Sequence, residues 1–288
     1  MKCWVCKSEK MEKVKDSNLS AINGTPENFR ITDDNYGMTG TLHECLDCTF
    51  VQCTDFANSN EMYEQMQDCE YEAGRSVRKK EMRHILSYAE SLRTFQTMLD
   101  IGAGSGILVE VAKHLGYNAI GIEPSKSLVQ IAETHHLEVK QGYFPSNQVK
   151  GKFDLITLVD VIEHLNEPFA LIDSLSSHLN QDGIILISTP DVSSRFARIM
   201  KWKWWHYRVA HIGYFNQKTL NLLMDRCGYI NIGSSRPVWF FQGSYIANRI
   251  LKLLGGGDVA FKSLKRITIR VNLHDSIMCI YQKKGKLS

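Results

Sequence analysis

Two pairs of cysteines are the first residues whose spacing could do chemistry. Cys3 and Cys6 are two residues apart, and so are Cys45 and Cys48. A C-x-x-C spacing lets two thiolates face one ion, and two such knuckles complete the tetrahedral sulfur shell that zinc takes. A shell closed by four thiolates leaves no position for substrate, so the expected role is structural: a zinc ribbon over residues 1–58. The residue after each pair is usually glycine in such knuckles; here it is Lys7 and Thr49. The other thiols, Cys53, Cys69, Cys227 and Cys279, read as ordinary buried or half-buried side chains.

A glycine loop follows in Leu99-Asp100-Ile101-Gly102-Ala103-Gly104-Ser105-Gly106. It lies where an apolar strand pattern turns into a helix pattern. Glycines there permit a tight turn and close approach of a ligand to the backbone. Glu123 ends the next strand, where a carboxylate can accept both hydroxyls of a ribose. A dinucleotide site needs a third small residue at the place Ile107 holds, so that pattern fails. Asp100 would repel a pyrophosphate but suits a cationic sulfonium carrying an α-amino group. The loop therefore favours S-adenosylmethionine as cofactor.

The elements that must position this loop alternate. Strand patterns fall at 97–101, 118–122, 139–142, 153–158, 184–188, 229–234 and 276–281, and helix patterns at 107–115, 125–135, 167–179 and 217–227. Such alternation predicts an α/β fold: a doubly wound, mostly parallel, seven-stranded Rossmann-like sheet with helices on both faces. Residues 59–96 read as a helical linker or cap, and 97–288 as the cofactor-binding domain with a lid insert at about 191–215.

Composition bounds the rest. In 288 residues, 43% are hydrophobic and 23% charged, enough for a real core and unlike a disordered chain. No apolar run approaches the roughly 18–20 residues of a membrane span. The opening Met1-Lys2-Cys3-Trp4 does not read as a leader, so a cytoplasmic protein with reduced thiols is expected. The net charge of +3 hides a division. Residues 195–288 hold 17 Lys and Arg against three acids, so the earlier part is acidic. That asymmetry points the acceptor toward something anionic, with a solvated basic face as the bland alternative.

With these motifs the chain resembles the class I S-adenosylmethionine-dependent methyltransferases over roughly residues 75–283. The resemblance rests on the glycine loop with Glu123 and on Phe153-Asp154-Leu155-Ile156 running into Asp160-Val161-Ile162-Glu163-His164-Leu165. It extends to 184–188 with Thr189-Pro190, to His211-Ile212-Gly213-Tyr214-Phe215, and to Asn272-Leu273-His274-Asp275. The set is similar to ubiquinone-biosynthesis-type O-methyltransferases and to zinc-ribbon methyltransferases associated with sugar and polysaccharide modification. The resemblance implies that Gly102, Ala103, Gly104 and Gly106 hold the methionine part, with Asp100 near its amino group. It implies that Glu123 binds the ribose, that Tyr143 and Phe144 flank the adenine, and that Val159 and Asp160 lie beside the methyl group. Arg78 or Arg83 either meets the cofactor carboxylate or lies on a solvated helix face. In the ubiquinone relatives an acid-x-x-Glu-His run is linked to a divalent metal such as Mg; it maps onto Asp160, Glu163 and His164, with Asp in the first place.

Methyl transfer is an in-line displacement in which the enzyme aligns the nucleophile and often takes its proton. His164 and His211 are the candidate bases, because histidine titrates near neutrality. On the substrate side, Trp204, Trp205, Tyr207 and Arg208 sit in the lid, where aromatic faces suit sugars and cations suit phosphate. Residues 238–254 read as a helix covering the sheet, a dimer face or a membrane-surface contact. The function expected is methyl transfer to a small molecule or glycan: a sugar, nucleotide-sugar or lipid-linked sugar. An RNA methyltransferase and a non-catalytic binding module are the alternatives.

Overall fold

The computed structural model describes residues 1–19, 25–55, 60–253, 264 and 267–285. In the ribbon lie β1 (Met11–Lys15), β2 (Leu42–Cys45) and β3 (Val51–Cys53). The cap contains α1 (Asn60–Gln65), α2 (Cys69–Ala73) and α3 (Arg75–Leu92). These break the single helical stretch expected at 59–96, because Asp68 caps α2 and Gly74 ends it. Then come β4 (Thr97–Ile101), α4 (Ile107–His114), β5 (Asn118–Glu123), α5 (Lys126–Thr134), β6 (Val139–Gln141) and β7 (Phe153–Val159). The second half has α6 (Pro168–Ser174), β8 (Leu179–Pro190), α7 (Arg195–Met200), β9 (Gly213–Tyr214) and α8 (Gln217–Arg226). The chain closes with β10 (Tyr229–Ser235), β11 (Trp239–Gln242), α9 (Gly243–Leu253), β12 (Thr268–Val271) and β13 (Ser276–Lys283).

Seven strands form one sheet in the order β10-β13-β8-β7-β4-β5-β6. β6, β5, β4, β7 and β8 run parallel, while β13 and β10 are antiparallel additions. This is the doubly wound sheet the alternation predicts. β4 sits between β5 and β7, so the connections leave it in opposite directions and open a crevice at the carboxyl ends of the strands.

The period-two pattern of the strands divides the core by face. Met98, Leu155, Leu186, Met278 and Ile280 pack with Ile85, Leu86 and Ala89 of α3 and with Leu108 and Val109 of α4. Leu99, Ile156, Ile185, Ile187, Ile277 and Cys279 pack on the other face with Leu220 and Leu223 of α8. That second core also contains Cys3, Val5, Cys45, Cys48 and Phe50. β9, at the end of the expected lid insert, pairs with β3 and extends the ribbon sheet. Ribbon and lid are thus joined both by a strand pair and by buried side chains. The ribbon boundary expected at residue 58 lies outside the described residues.

Residues 238–254 are not one helix. Trp239, Phe240 and Phe241 form β11, which pairs antiparallel with β12 before α9 begins. Consecutive aromatic residues favour a pleated, half-buried surface over a helix. Residue 254, and with it the glycine run 255–257, lies outside the described residues.

Candidate functional site

The glycine loop takes the conformation its residues permit. Gly102, Gly104 and Gly106 have φ of 73°, 55° and 75°, a region other residues reach only with strain. A side chain at Gly102 would meet Val161 at 2.5 Å, and one at Gly104 would meet the Tyr71 hydroxyl at 3.1 Å. The loop is therefore pressed between the segment after β7 and the cap. Glu123 anchors it: its carboxylate accepts from the Gly104 N–H at 2.9 Å and the Ser125 N–H at 2.8 Å. Asp100 is buried and accepts the Thr157 hydroxyl at 2.7 Å. Burial pushes both carboxyls up to about 7.

Other expected cofactor residues separate by position. Val159 is half-buried, and Asp160, at φ 54°, opens outward at the end of β7. A non-glycine residue in that region marks a strained turn of the kind concentrated at functional sites. Ala103 is buried against β5, where a side chain at Gly121 would meet it at 2.5 Å. Tyr143 is exposed and donates its hydroxyl to the Asn60 carbonyl at 2.7 Å. Phe144 is buried edge-on to His178, in the core under the sheet, so it is a packing residue and not an open adenine wall. Of the two arginines, Arg83 pairs with Glu90 at 2.7 Å on the exposed side of α3. Arg78 lies 4.4 Å over the Tyr71 ring, beside the glycine loop.

A second polar group gathers at the end of β7. Glu163 and His164 occupy a 3-10 turn, Ile162–His164, and His211 arrives from the lid. One ligand atom from each lies within 4.8 Å of the others. The Glu163 Oε2 accepts the Thr189 hydroxyl at 2.9 Å, while its buried Oε1 has no hydrogen-bond partner. The His164 Nδ1 lies 2.7 Å from the Ala210 carbonyl, which can only accept, so this nitrogen carries the proton. The Tyr63 hydroxyl stands 2.8 Å from the same nitrogen and also donates to the Ala210 carbonyl at 3.2 Å. His211 lies edge-on to His164, with ring centroids 4.8 Å apart. Burial pushes His164 down to about 4 and His211 well below its ordinary value, and it holds Glu163 well above the carboxylate range. Burial thus disfavours the charged form of all three groups within one small space.

Asp160 is outside this cluster; among the described residues the structure gathers Glu163 and His164 with His211 instead. Two imidazoles and one carboxylate with an orphaned oxygen fit a first-row transition ion. They fit Mg poorly, because it prefers a shell of oxygens. The four cysteines fit zinc. Their sulfurs approach to 3.6 Å for Cys3 and Cys48 and 3.4 Å for Cys6 and Cys45. A zinc tetrahedron with bonds of about 2.3 Å places sulfurs about 3.8 Å apart. Lys7 and Thr49 have φ of 64° and 68°, the left-handed turn that makes glycine usual there. Their N–H groups donate to the Cys3 and Cys45 carbonyls at 3.0 and 2.8 Å, so the two knuckles repeat one geometry.

The lid residues are largely internal. Trp204 is fully buried, and its indole N–H donates to Asp275 at 3.3 Å. Tyr207 is buried against Tyr214 of β9. Both belong to a core shared with Leu42, Val51 and Cys53 of the ribbon, which takes their faces away from any ligand. Trp205 is half-buried on Phe196. Arg208 donates to the Arg30 and Ile31 carbonyls, and its charge acts on Asp160, Glu163, His164 and His211. Sequence reasoning did not single out Tyr63, Glu81 or His206. His206 stacks on His211 at 5.7 Å and sits 3.5 Å from Asp275. Adjacent tryptophans drew attention to residues 204–205, while the neighbouring histidine carried no spacing signal.

A family model described as a methyltransferase domain matches residues 54–232. An uncharacterized methyltransferase of Alkaliphilus oremlandii is 39% identical over 94 residues, covering 31% of this chain and 44% of that protein. A ubiquinone biosynthesis O-methyltransferase of Rhodopseudomonas palustris is 33% identical over 98 residues, covering 32% of this chain and 39% of that protein. The chain thus spans about two-fifths of the length of these curated relatives. Among solved structures, an S-adenosylmethionine-dependent methyltransferase of Thermotoga maritima, named a possible histamine N-methyltransferase, superposes with a TM-score of 0.51 at 18% identity. The match covers 75% of this chain and 95% of that one. One from Archaeoglobus fulgidus gives 0.51 at 16%, covering 75% and 100%. At such identities these two speak for the fold alone. The matched span holds the glycine loop, Glu123 and the strand-end crevice, and the chain belongs to the class I S-adenosylmethionine-dependent methyltransferase family.

Proposed function

We propose that the chain transfers a methyl group from S-adenosylmethionine to a hydroxyl of an anionic small molecule or glycan. The observation that carries this reading is the Glu163–His164–His211 cluster, set at the carboxyl end of β7 beside Asp160. In an open α/β sheet that end is where ligands bind. The crevice groups Asp100, Gly102, Gly104 and Glu123 take the cofactor. The acceptor oxygen attacks the methyl carbon, the carbon–sulfur bond breaks with its electron pair going to sulfur, and the acceptor's proton passes to an imidazole. His164 has its Nδ1–H held by the Ala210 carbonyl, so Nε2 carries the lone pair, and burial keeps the ring neutral and able to accept a proton. His211 is the second candidate. In place of a histidine base, a divalent transition ion held by Glu163, His164 and His211 would supply Lewis acidity that lowers the pKa of the acceptor hydroxyl, with its proton passing to solvent.

Support for an anionic acceptor comes from the basic last third of the chain and from Arg208, whose charge reaches the cluster. Four cysteines hold a structural zinc in this reading. Among the described residues no helix is long and apolar enough to cross a membrane.

The test is a panel of hydroxylated acceptors, including nucleotide sugars, incubated with S-adenosylmethionine while S-adenosylhomocysteine is measured. Turnover with one acceptor class supports the proposal. Failure of S-adenosylhomocysteine to bind at millimolar concentration overturns it. Turnover on RNA alone, with a steep salt dependence, replaces it by the nucleic-acid reading.

A further inference from the structure

Asp275 ends the motif Asn272-Leu273-His274-Asp275, far along the chain from the residues of the Glu163–His164–His211 cluster. β13 runs antiparallel to β8 with Ser276 opposite Pro190. Asp275, one residue before β13, therefore stands at the carboxyl end of the parallel strands, the end where ligands bind. Its carbonyl accepts the Asp191 N–H at 2.8 Å, which fixes its backbone there. The side chain is buried, and a buried carboxylate is costly unless donors meet it. Those donors come from the lid. The Trp204 indole N–H lies 3.3 Å from Oδ2, and the His206 Nε2 stands 3.5 Å from the same oxygen.

His206 is held on three sides. Asp275 faces its Nε2, Trp204 stands edge-on to its ring at 4.8 Å, and His211 lies parallel to it at 5.7 Å with 13° between the planes. Offset parallel rings at such a distance are in contact, so each restrains the tilt of the other. His211 in turn meets His164 edge-on at 4.8 Å. The main chain beside His211 is docked by the Ile212 N–H, which donates to the Glu163 carbonyl at 2.9 Å. That bond leaves the tilt of the imidazole open, and the face of His206 restrains it. We propose that Asp275 is a positioning residue of the reaction: through His206 it sets the plane in which the His211 imidazole meets Glu163 and His164. This rests on the reading of that cluster as the place of methyl transfer and deepens it. An imidazole that takes a proton or a metal ion works only when its lone pair is aimed, and a misplacement of about 1 Å can cost about a hundredfold in rate.

The experiment reads geometry and rate in the full chain. A crystal structure of His206→Ala with S-adenosylhomocysteine should show the His211 ring turned out of its edge-on contact with His164; an unmoved ring overturns the proposal. With the acceptor that the panel yields, His206→Ala should lower kcat about a hundredfold while acceptor KM and S-adenosylhomocysteine affinity stay within about twofold. His206→Phe keeps a ring face for His211 but lets go of the carboxylate. It and Asp275→Asn should each lower kcat about tenfold, and the double variant no further than either, because the carboxylate acts through His206. Unchanged S-adenosylhomocysteine affinity certifies that each variant is folded. If His206→Phe is as slow as His206→Ala, His206 takes the proton itself and the positioning role is overturned. Additive losses in the double variant, or losses that follow melting temperature and cofactor affinity, reduce Asp275 to an anchor of the lid and overturn it likewise. A turned His211 ring with normal turnover overturns the positioning role alone, whereas a wild-type chain that turns over no acceptor removes the reading of the cluster and the proposal with it.

Discussion

The cysteine cluster and the Glu163–His164–His211 cluster are both groups of ligating side chains, but they are built in opposite ways. The cysteines come as two local knuckles, each closed by its own backbone hydrogen bond, with the four sulfurs gathered together. The second cluster is drawn from the turn after β7 and from the lid, and it keeps an oxygen without a partner. A complete shell fits stability, and an incomplete one fits chemistry. The two are also connected. Phe50, next to the second knuckle, packs on Phe215, and the His211 segment leads straight into β9 on the ribbon sheet. The closed cluster thus holds the element that carries one arm of the open cluster.

Breaking the closed cluster should have the largest effect. Cys45→Ser, or removal of metal by a chelator, should unfold the ribbon and release the lid. Thermal melts with metal analysis should show a loss of several kcal/mol and of activity together. Less than about half an equivalent of zinc in the purified protein would remove the structural reading.

Breaking the open cluster should spare the fold. His164→Ala and His211→Ala should lower kcat on the order of 10²- to 10⁴-fold with little change in S-adenosylhomocysteine affinity. Unchanged kcat in both variants would leave the cluster without a catalytic part.

A pH series sharpens the contrast between buried acids and buried bases. Asp100 has its pKa raised from 3.8 to about 7 by burial, so the folded state holds a proton that the unfolded state gives up above pH ~4. Its contribution is therefore lost as pH rises from about 4 to about 7. His164, pushed down to about 4, acts in the reverse sense between about 4 and 6.5. Asp100→Asn keeps an acceptor for Thr157 and should gain on the wild type by up to about 4 kcal/mol between pH 4 and 8 in denaturant melts without cofactor. A pH-independent difference would show that Asp100 is not held protonated.

The smallest effect belongs to a knuckle. Thr49 is β-branched at φ 68°, so Thr49→Gly should relieve strain and raise stability by about 1 kcal/mol without altering turnover.

Much of this was legible along the chain. The seven strands of the main sheet and the helices that follow the glycine loop were readable, because the apolar period changes sharply from two to 3.6. The cysteine set and the Gly102–Gly106 turn were readable too, since their chemistry lies within a few residues. What escaped depends on distance. Trp204 and Tyr207 looked like a ligand platform, yet β9 brings them against the ribbon, a contact across roughly 160 residues. Phe144 looked like an adenine wall, but the turn after β6 sends it into the core beside His178. Glu81 gave no sign among the other charges of α3 until β11 covered it.

The sequence by itself determined the sheet, the loop that turns on three glycines and the two thiol knuckles. Each is set by backbone preferences and by the alternation of apolar residues over short spans. Tertiary structure alone decided that His211 would complete Glu163 and His164 in place of Asp160, that Arg78 and not Arg83 would lie beside the glycine loop, and that one atom each of Arg78 and Glu81 would be buried without a hydrogen-bond partner. Those outcomes depend on which surfaces remain uncovered once distant segments have packed, and no local spacing records that.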